Sequence, residues 1–347
     1  MRPARAARWL LAPAAAVMGG CNQNPPNPFD RPDQSVPPSS SAALLLTSGI
    51  YSARAGAPRE LYAVNADGTG LSRLTFCNTS SSCDTVAPVP GPERNRVMVL
   101  RVTDSNKDDK LDPATDGQAL VFIDLQRSAQ TAVLAASQFV SGADWSWRAE
   151  VVAYSAAPPP ALPDLYRMEP NGANGSALTS TPAVTELGPR IDPTASVAVY
   201  GRIDSGGKSQ IYIFQSGTSQ VRVTSGGPGS EPLAGTPYVV GSDADPDYSP
   251  DGRSIVFRRL TGTGNGGLGT WDLLRVAPDG SGLTVLATGP VFRSAPDWGT
   301  QGIVFVETDA AAGRSQLVQI QPDGSGRTVL LTQGSGFGLS NPRWMPQ

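Results

Sequence analysis

Oxygen-bearing side chains alternate along the segment TDSNKDDKLDPATDG, which spans residues 103–117. The oxygen donors would be the side chains of Asp104, Asn106, Asp108 and Asp112 and the carbonyl of Lys110. Ca²⁺ is a hard cation that prefers oxygen ligands, and loops that bind it place them at alternate positions along the chain. The spacing therefore makes these five residues a candidate calcium site.

The same segment resembles the first nine positions of a calcium loop of the EF-hand or dockerin type. It departs from that pattern at two positions. Asp109 replaces the glycine with which calcium loops make a sharp turn, and Thr115 replaces the expected bidentate acid, while Asp116 lies one residue too late. Flanking helices are also missing. A solvated acidic loop without metal explains the same residues, and both interpretations stay open.

Histidine is absent from all 347 residues. Its absence removes the usual general base, the nucleophile systems that depend on histidine and most zinc sites. The remaining enzyme chemistry is glycoside hydrolysis by a carboxylate pair or metal-assisted cleavage. No such pair can be identified from the sequence, because its members would come from distant repeats. We therefore expect a protein that is not an enzyme.

The charge and composition narrow the class of protein further. The chain has 27 Lys and Arg against 30 Asp and Glu, a net charge of −3, and no run of basic residues, which excludes a nucleic-acid-binding protein. It contains 38 Gly and 32 Pro and is only 16% charged. Such a turn-rich composition favours an all-β fold over a helical one.

The first 21 residues, MRPARAARWLLAPAAAVMGGC, place three arginines before a short apolar stretch. This pattern is typical of a secretory signal, and the stretch is too short for a membrane span, which needs roughly 20 residues. Residues 18–21 resemble the lipobox of bacterial lipoproteins, which implies a signal peptide over residues 1–20 and lipidation of Cys21. An ordinary signal peptide that is cleaved elsewhere is the alternative.

Residues 21–41 are rich in proline and serine, a composition that predicts an extended tether between the lipid and a folded domain. By resemblance to lipoprotein sorting, Asn22 after the lipidated cysteine favours the outer membrane. We expect the domain to be exported and to face the periplasm or the cell surface.

The two other cysteines, Cys77 and Cys83, have five residues between them. In an exported chain an even pair favours a disulfide, which would close one small surface loop. Two free thiols or a metal pair remain as alternatives.

A recurring unit begins after the tether. It is clearest in LYAVNADGTGLSRLT from Leu61, LLRVAPDGSGLTVLAT from Leu273 and LVQIQPDGSGRTVLLT from Leu317, and weaker copies start at Leu120, Leu165 and Ile211. Each copy has two short apolar runs joined by a glycine-containing turn, which is typical of a β-hairpin. The starts lie 44 to 62 residues apart, a period that is typical of propeller blades.

A second pair of strands lies between successive hairpins, as in DPDYSPDGRSIVFRR from Asp245. Five such pairs are complete. The sixth is split between NPRWMPQ at the C-terminus and ALLLTS from Ala43. These observations predict an all-β fold over residues 42–347, a six-bladed β-propeller closed by pairing of the N- and C-terminal strands within one blade.

The predicted innermost strands share a charged position, which is occupied in five of them by Asp144, Arg190, Asp247, Asp297 and Arg343. The next residue is aromatic in four strands, and we expect these aromatic side chains to pack between blades: Trp145, Tyr248, Trp298 and Trp344. The charges near the axis would either form a neutralising ion-pair ring or line a ligand pocket.

The turn SPDG at Ser249, followed by the apolar run 255–257 and by a second PDG turn at Pro278, resembles the PD-rich repeats of TolB-type propellers. The resemblance covers residues 42–347 and implies the same fold. TolB proteins carry a further N-terminal α/β domain, in whose place this sequence has the tether. Similar repeats accompany the hydrolase domains of prolyl peptidases, but no G-x-S-x-G nucleophile elbow with a histidine partner is present.

Within each blade the strands can be lettered a to d from the axis outward. The a–b and c–d turns are short and alike, whereas the b–c and d–a connections vary in length, and the two variable kinds emerge on the same rim. Because variable loops on a rigid scaffold commonly carry binding, we expect a monomeric scaffold that binds envelope proteins through this rim. Its longest connections are 103–118, 225–243 and 260–270. The apolar anchor candidates are Leu260, Leu268 and Trp271, which could alternatively belong to a flexible loop and the start of a strand c. A carboxylate- or metal-dependent glycan-active enzyme and a sensor of small ligands or glycans are the alternatives.

Overall fold

A computed structural model describes residues 34–48, 59–76, 83–103, 117–134, 139–146, 148, 150–157, 161–192, 198–215, 219–334 and 338–346. Secondary structure within these ranges consists of strands and turns, without a helix. Accordingly, the described residues contain no helix long and apolar enough to cross a membrane.

The strands, in chain order, are β1 (Gln34–Ser35), β2 (Ala42–Ser48), β3 (Glu60–Asn65), β4 (Ser72–Arg73), β5 (Thr75–Phe76), β6 (Cys83–Pro90), β7 (Arg96–Thr103), β8 (Gly117–Asp124), β9 (Ala129–Leu134), β10 (Phe139–Ser146), β11 (Val151–Ala157), β12 (Asp164–Met168), β13 (Ser176–Ala177), β14 (Thr185–Ile191), β15 (Ala198–Ile203), β16 (Ser209–Phe214), β17 (Gln220–Arg222), β18 (Asp243–Tyr248), β19 (Ile255–Gly262), β20 (Thr270–Val276), β21 (Thr284–Ala287), β22 (Phe292–Gly299), β23 (Gly302–Asp309), β24 (Arg314–Ile320), β25 (Thr328–Gly334) and β26 (Ser340–Trp344).

These strands form six four-stranded antiparallel sheets. Blades 1 to 5 are β6–β9, β10–β13, β14–β17, β18–β21 and β22–β25, each in sequence order from the axis outward, and blade 6 has the order β26-β2-β3-β4. The six-bladed propeller predicted from the repeats is confirmed. A short outer pair, β1 with β5, joins the end of the predicted tether to blade 6.

Blade 6 closes the ring with strands from both ends of the domain. Leu44 pairs with Trp344 and Leu45 with Arg343, so β26 takes the innermost position beside β2. The side-chain oxygens of Thr47 and Ser340 are 2.8 Å apart and hydrogen-bonded. The predicted pairing of the terminal strands is therefore confirmed, and the central circle of strands has no open blade.

Each sheet packs against a neighbour on both faces, which explains why the middle strands are almost continuously apolar. In β19 the side chains of Ile255 and Phe257 pack into blade 3, and that of Val256 packs against Phe305 of blade 5. All of these side chains are fully buried. Burial of each contributes about 1.5–3 kcal/mol to stability.

The innermost strands share a bulge that the sequence analysis did not identify. Two residues before the shared charged position, five of the six strands have a backbone φ between 47° and 54°, at Ala87, Gly188, Asp245, Ala295 and Asn341. A proline follows each of these residues. Proline lacks an N–H group and fits an inner edge strand at a bulge, where no neighbouring strand requires that donor. The pairing register shifts at this bulge in five inner strands, and in β10 it shifts between Val140 and Gly142.

Candidate functional site

The shared position of the inner strands forms a ring around the propeller axis. The structure brings together the five predicted charged residues, one each from blades 2 to 6: Asp144, Arg190, Asp247, Asp297 and Arg343. Val89 of β6 occupies the sixth place. No charged residue was predicted at this place, because blade 1 has an apolar side chain there.

Ion pairs connect most of this ring. Arg343 contacts two carboxylates, with its Nη2 atom 2.9 Å from Asp144 Oδ1 and its Nε atom 2.7 Å from Asp297 Oδ1. Arg190 Nη1 is 3.8 Å from the same oxygen of Asp144. Although burial opposes it, the pKa of Arg343 is raised because Asp297 and Asp144 favour its charged form. The pKa of Arg190 is lowered by burial and by the like charge of Arg343.

Each aspartate of the ring also links its blade to the next one. Its Oδ2 atom accepts a hydrogen bond from the backbone N–H that follows the ring position of the next blade. The bonds run from Ile191 to Asp144 (2.9 Å), from Trp298 to Asp247 (2.8 Å) and from Trp344 to Asp297 (2.8 Å). These carboxylates thus satisfy inner-edge N–H groups that have no partner strand, as buried donors require.

Asp247 differs from the other two carboxylates. Within the described part of the chain it has no arginine or lysine nitrogen within 4 Å, although it is only 9% exposed. Burial, together with the negative charge of Asp297, raises the pKa of Asp247 to about 7, against the opposing effects of Arg343 and Arg190. The ring contains three carboxylates and two guanidiniums, so it holds one negative charge in excess when all five groups are ionised.

The ring forms the floor of a cavity of about 510 Å³ that opens on the rim of the a–b and c–d turns, here named the turn-side rim. The four predicted aromatics line this cavity and pack back against the preceding blade. Trp145 meets Phe122 of blade 1 edge-on, with ring centroids 4.7 Å apart. Trp344 stacks its indole over Gly299 of blade 5 and donates to the carbonyl of Gly302 at 3.0 Å.

The c–d turns of the turn-side rim are docked on neighbouring blades. At Gly172, Gly280 and Gly324, an added Cβ atom would lie 2.7–2.8 Å from a backbone carbonyl oxygen of the preceding blade's outer segment. Each of these glycines has φ of about 83–87°, which also disfavours a side chain. The glycine of this repeated turn therefore allows the turn to pack closely against the neighbouring blade.

The opposite rim, which carries the b–c and d–a connections, is named the loop-side rim. A second cavity of about 400 Å³ opens there, with Phe139, Leu187, Tyr238 and Asp245 among its lining residues. Asn265 connects the loops of blades 4 and 5, because its amide donates to Thr308 O and accepts from Ala310 N, both at 2.9 Å. Asn265 thus links the loop-side connections of blades 4 and 5 to each other.

Exposed apolar side chains lie on the loop-side rim at Phe139 (37%), Leu162 (43%) and Leu268 (39%). Leu268 is exposed, and its role as an anchor stays a prediction. The predictions for Leu260 and Trp271 were wrong, because these side chains are 0% and 1% exposed in a core cluster with Leu233 and Ala244. The glycine-rich sequence of residues 260–270 indicated a loop, whereas β19 extends to Gly262 and β20 begins at Thr270.

A buried guanidinium near this rim was also missed. Arg258 lies 3.9 Å from the ring centroid of Trp271 and 5.2 Å from that of Phe292, and its Nε atom is 2.8 Å from Asp245 Oδ2. Burial, with the charge of Asp245, raises the pKa of neighbouring Tyr238 to about 12. The only indication of this site in the sequence is the pair of adjacent arginines in β19, Arg258 and Arg259. The sequence does not show which of the two packs against the aromatic side chains.

Other predicted site residues lie outside the described part of the chain. They are Cys21, Cys77, Asp104, Asn106, Asp108, Lys110 and Asp112. Cys83 begins β6, but its side chain is not described. The lipid anchor, the disulfide and the calcium loop therefore stay predictions. Among the described residues, no group of three or more acids or cysteines is placed to hold a metal ion.

No family model and no curated protein matches the chain by sequence. The structure is similar to that of TolB from Acinetobacter baumannii, with a TM-score of 0.65 and 17% identity over 89% of this chain and 68% of that one. It is also similar to a putative TolB from Agrobacterium tumefaciens, with a TM-score of 0.57 and 16% identity over 89% and 100% of the two chains.

A third similar structure is a puromycin hydrolase, with a TM-score of 0.55 and 15% identity, and the match covers 88% of this chain but 45% of the hydrolase. At these identities the likeness concerns the fold. The ring of six four-stranded blades, its closure and the TolB matches agree: the chain has the TolB-type six-bladed β-propeller fold.

Proposed function

We propose that this chain is a non-catalytic scaffold of the cell envelope that binds a protein partner on its loop-side rim. The observation that carries the proposal is the exposure of three large apolar side chains there, those of Phe139, Leu162 and Leu268. Exposed apolar groups on a rigid surface are the usual anchors of protein interfaces. On the turn-side rim, by contrast, the c–d turns already contact the neighbouring blade.

The proposal is tested by capture of the partner from envelope membranes by chemical crosslinking, with quantification by mass spectrometry. Phe139→Ser and Leu268→Ser should each reduce the recovery of the same protein several-fold and leave the melting temperature nearly unchanged. Val285→Ser is the matched control, because Val285 is 51% exposed on outer strand β21. Equal recovery with all three variants, or equal loss with Val285→Ser, would contradict the proposal.

We also propose that Cys21 carries a lipid that anchors the propeller, with the proline- and serine-rich segment 21–41 as the tether. The support is the leader and lipobox pattern, together with the composition of that segment. Cys21→Ser should move the protein from the detergent phase to the aqueous phase when membranes are partitioned in a cloud-point detergent. Unchanged partition would show that the chain is held at the membrane by other means.

A further inference from the structure

The excess negative charge of the ring is located at one carboxylate. Arg343 is shared by Asp144 and Asp297, and Arg190 lies on the far side of Asp144. Asp247 therefore has no cationic partner among the described residues, although it lines the turn-side cavity. A buried carboxylate is stable in its charged form only when a positive group or several hydrogen-bond donors compensate it, and here one backbone N–H does so.

Other groups around the same cavity suit an organic cation. Tyr248, which is 5% exposed, lines the cavity with its aromatic side chain. Half-buried indoles of Trp298 and Trp344 form part of the wall. Aromatic rings attract ammonium groups through their negative faces and cover the apolar part of such a ligand.

We propose that the turn-side cavity binds an organic ammonium ion, with the Asp247 carboxylate as counter-ion and with Trp298 and Trp344 around the apolar part of the ligand. The site lies on the rim opposite to the one assigned to the protein partner, so it is independent of the proposed function. The ammonium supplies the positive charge that brings the ring to neutrality.

Protons compete with the ligand for this carboxylate. The charged groups that face it come from the other inner strands: Asp144, Arg190, Asp297 and Arg343, with Arg148 and Asp192 at the cavity mouth. Because the pKa of Asp247 is raised to about 7 by burial and by Asp297, its charged fraction falls between pH 8 and pH 6. Ammonium binding should weaken over the same interval.

Titration calorimetry with benzylammonium chloride at pH 8 tests this site. Benzyl alcohol is the neutral control of the same shape, and KCl at equal ionic strength is the inorganic control. We expect saturable binding of benzylammonium alone, which weakens at least threefold at pH 6. Asp247→Asn should weaken it at least tenfold, whereas Asp251→Asn, at an exposed turn on the same rim, should leave it unchanged.

A melting curve of Asp247→Asn at pH 6 shows whether that variant is folded. Equal binding of benzyl alcohol would show an apolar cavity without charge recognition, and equal displacement by KCl would show a site for inorganic cations. Either result, or unchanged binding by folded Asp247→Asn, would overturn the proposal.

Discussion

At the scale of single residues, the electrostatics of the ring depend on how its five charged side chains pair with one another. The sequence predicted their common position on the inner strands, and it left open whether they neutralise each other or form a pocket. The structure contains ion pairs for four of the charges and leaves Asp247 without one in its described part. Such pairing depends on the side-chain directions of residues from four blades, which a local sequence pattern does not contain.

Asp247→Asn should change how stability depends on pH. Between pH 3.8 and about 7, the folded protein retains a proton on Asp247 that the unfolded chain has released, so rising pH destabilises the parent over this window. The asparagine side chain of this variant retains an oxygen that can accept the hydrogen bond from the Trp298 N–H, and it has no titratable group. The melting temperature of the variant relative to that of the parent should therefore rise from pH 4 to pH 7 and level off toward pH 8.

Asp251→Asn is the control of opposite sign for this measurement. Hydrogen bonds from the Ser249 hydroxyl and the Arg253 N–H lower the pKa of Asp251, so its carboxylate stabilises the fold above the unfolded pKa and loses this effect in acid. Its replacement should not produce a gain at pH 7. If the difference between Asp247→Asn and the parent were the same at pH 4 and pH 8, the raised pKa of Asp247 would be wrong.

At the scale of elements, the glycines of the c–d turns carry contact between blades. Gly324 and Gly282 both have positive φ in PDGSG turns, but an added Cβ would lie 2.7 Å from Leu286 O at Gly324 and would meet nothing within 4 Å at Gly282. Alanine at either position costs roughly 1–2 kcal/mol for the left-handed backbone. Gly324→Ala should therefore lower stability in urea clearly more than Gly282→Ala does, and equal losses would refute the docking role.

The sequence was informative about elements wherever a motif repeats. The hairpin turns, the aromatic position and the closing strand were all predicted, because each recurs with a regular period. The bulge before the ring escaped notice although its proline recurs in five strands, since a left-handed φ at Ala295 or Asn341 is unusual for these residue types. Burial of Leu260 and Trp271 also escaped notice, because it depends on Leu233 from another connection.

At the scale of the whole molecule, closure by β26 should control solubility and cooperativity. Deletion of residues 340–347 removes the innermost strand of blade 6, the Arg343 ion pairs and the Trp344 packing. We expect an insoluble protein or a large fall in melting temperature by calorimetry. Trp344→Phe is the milder control, which keeps the strand and should remain folded. A truncated protein as stable as the parent would contradict the closure.

The central functional claim, that the loop-side rim binds a protein, is tested most directly by site-specific photocrosslinking in cells. A photoreactive phenylalanine analogue is placed at Phe139 or Leu268 on the loop-side rim and at Glu93 or Arg253, which are exposed on the turn-side rim. We expect one crosslinked product of the same mass from both loop-side positions and none from the turn-side positions. Products from the turn-side positions alone would contradict it.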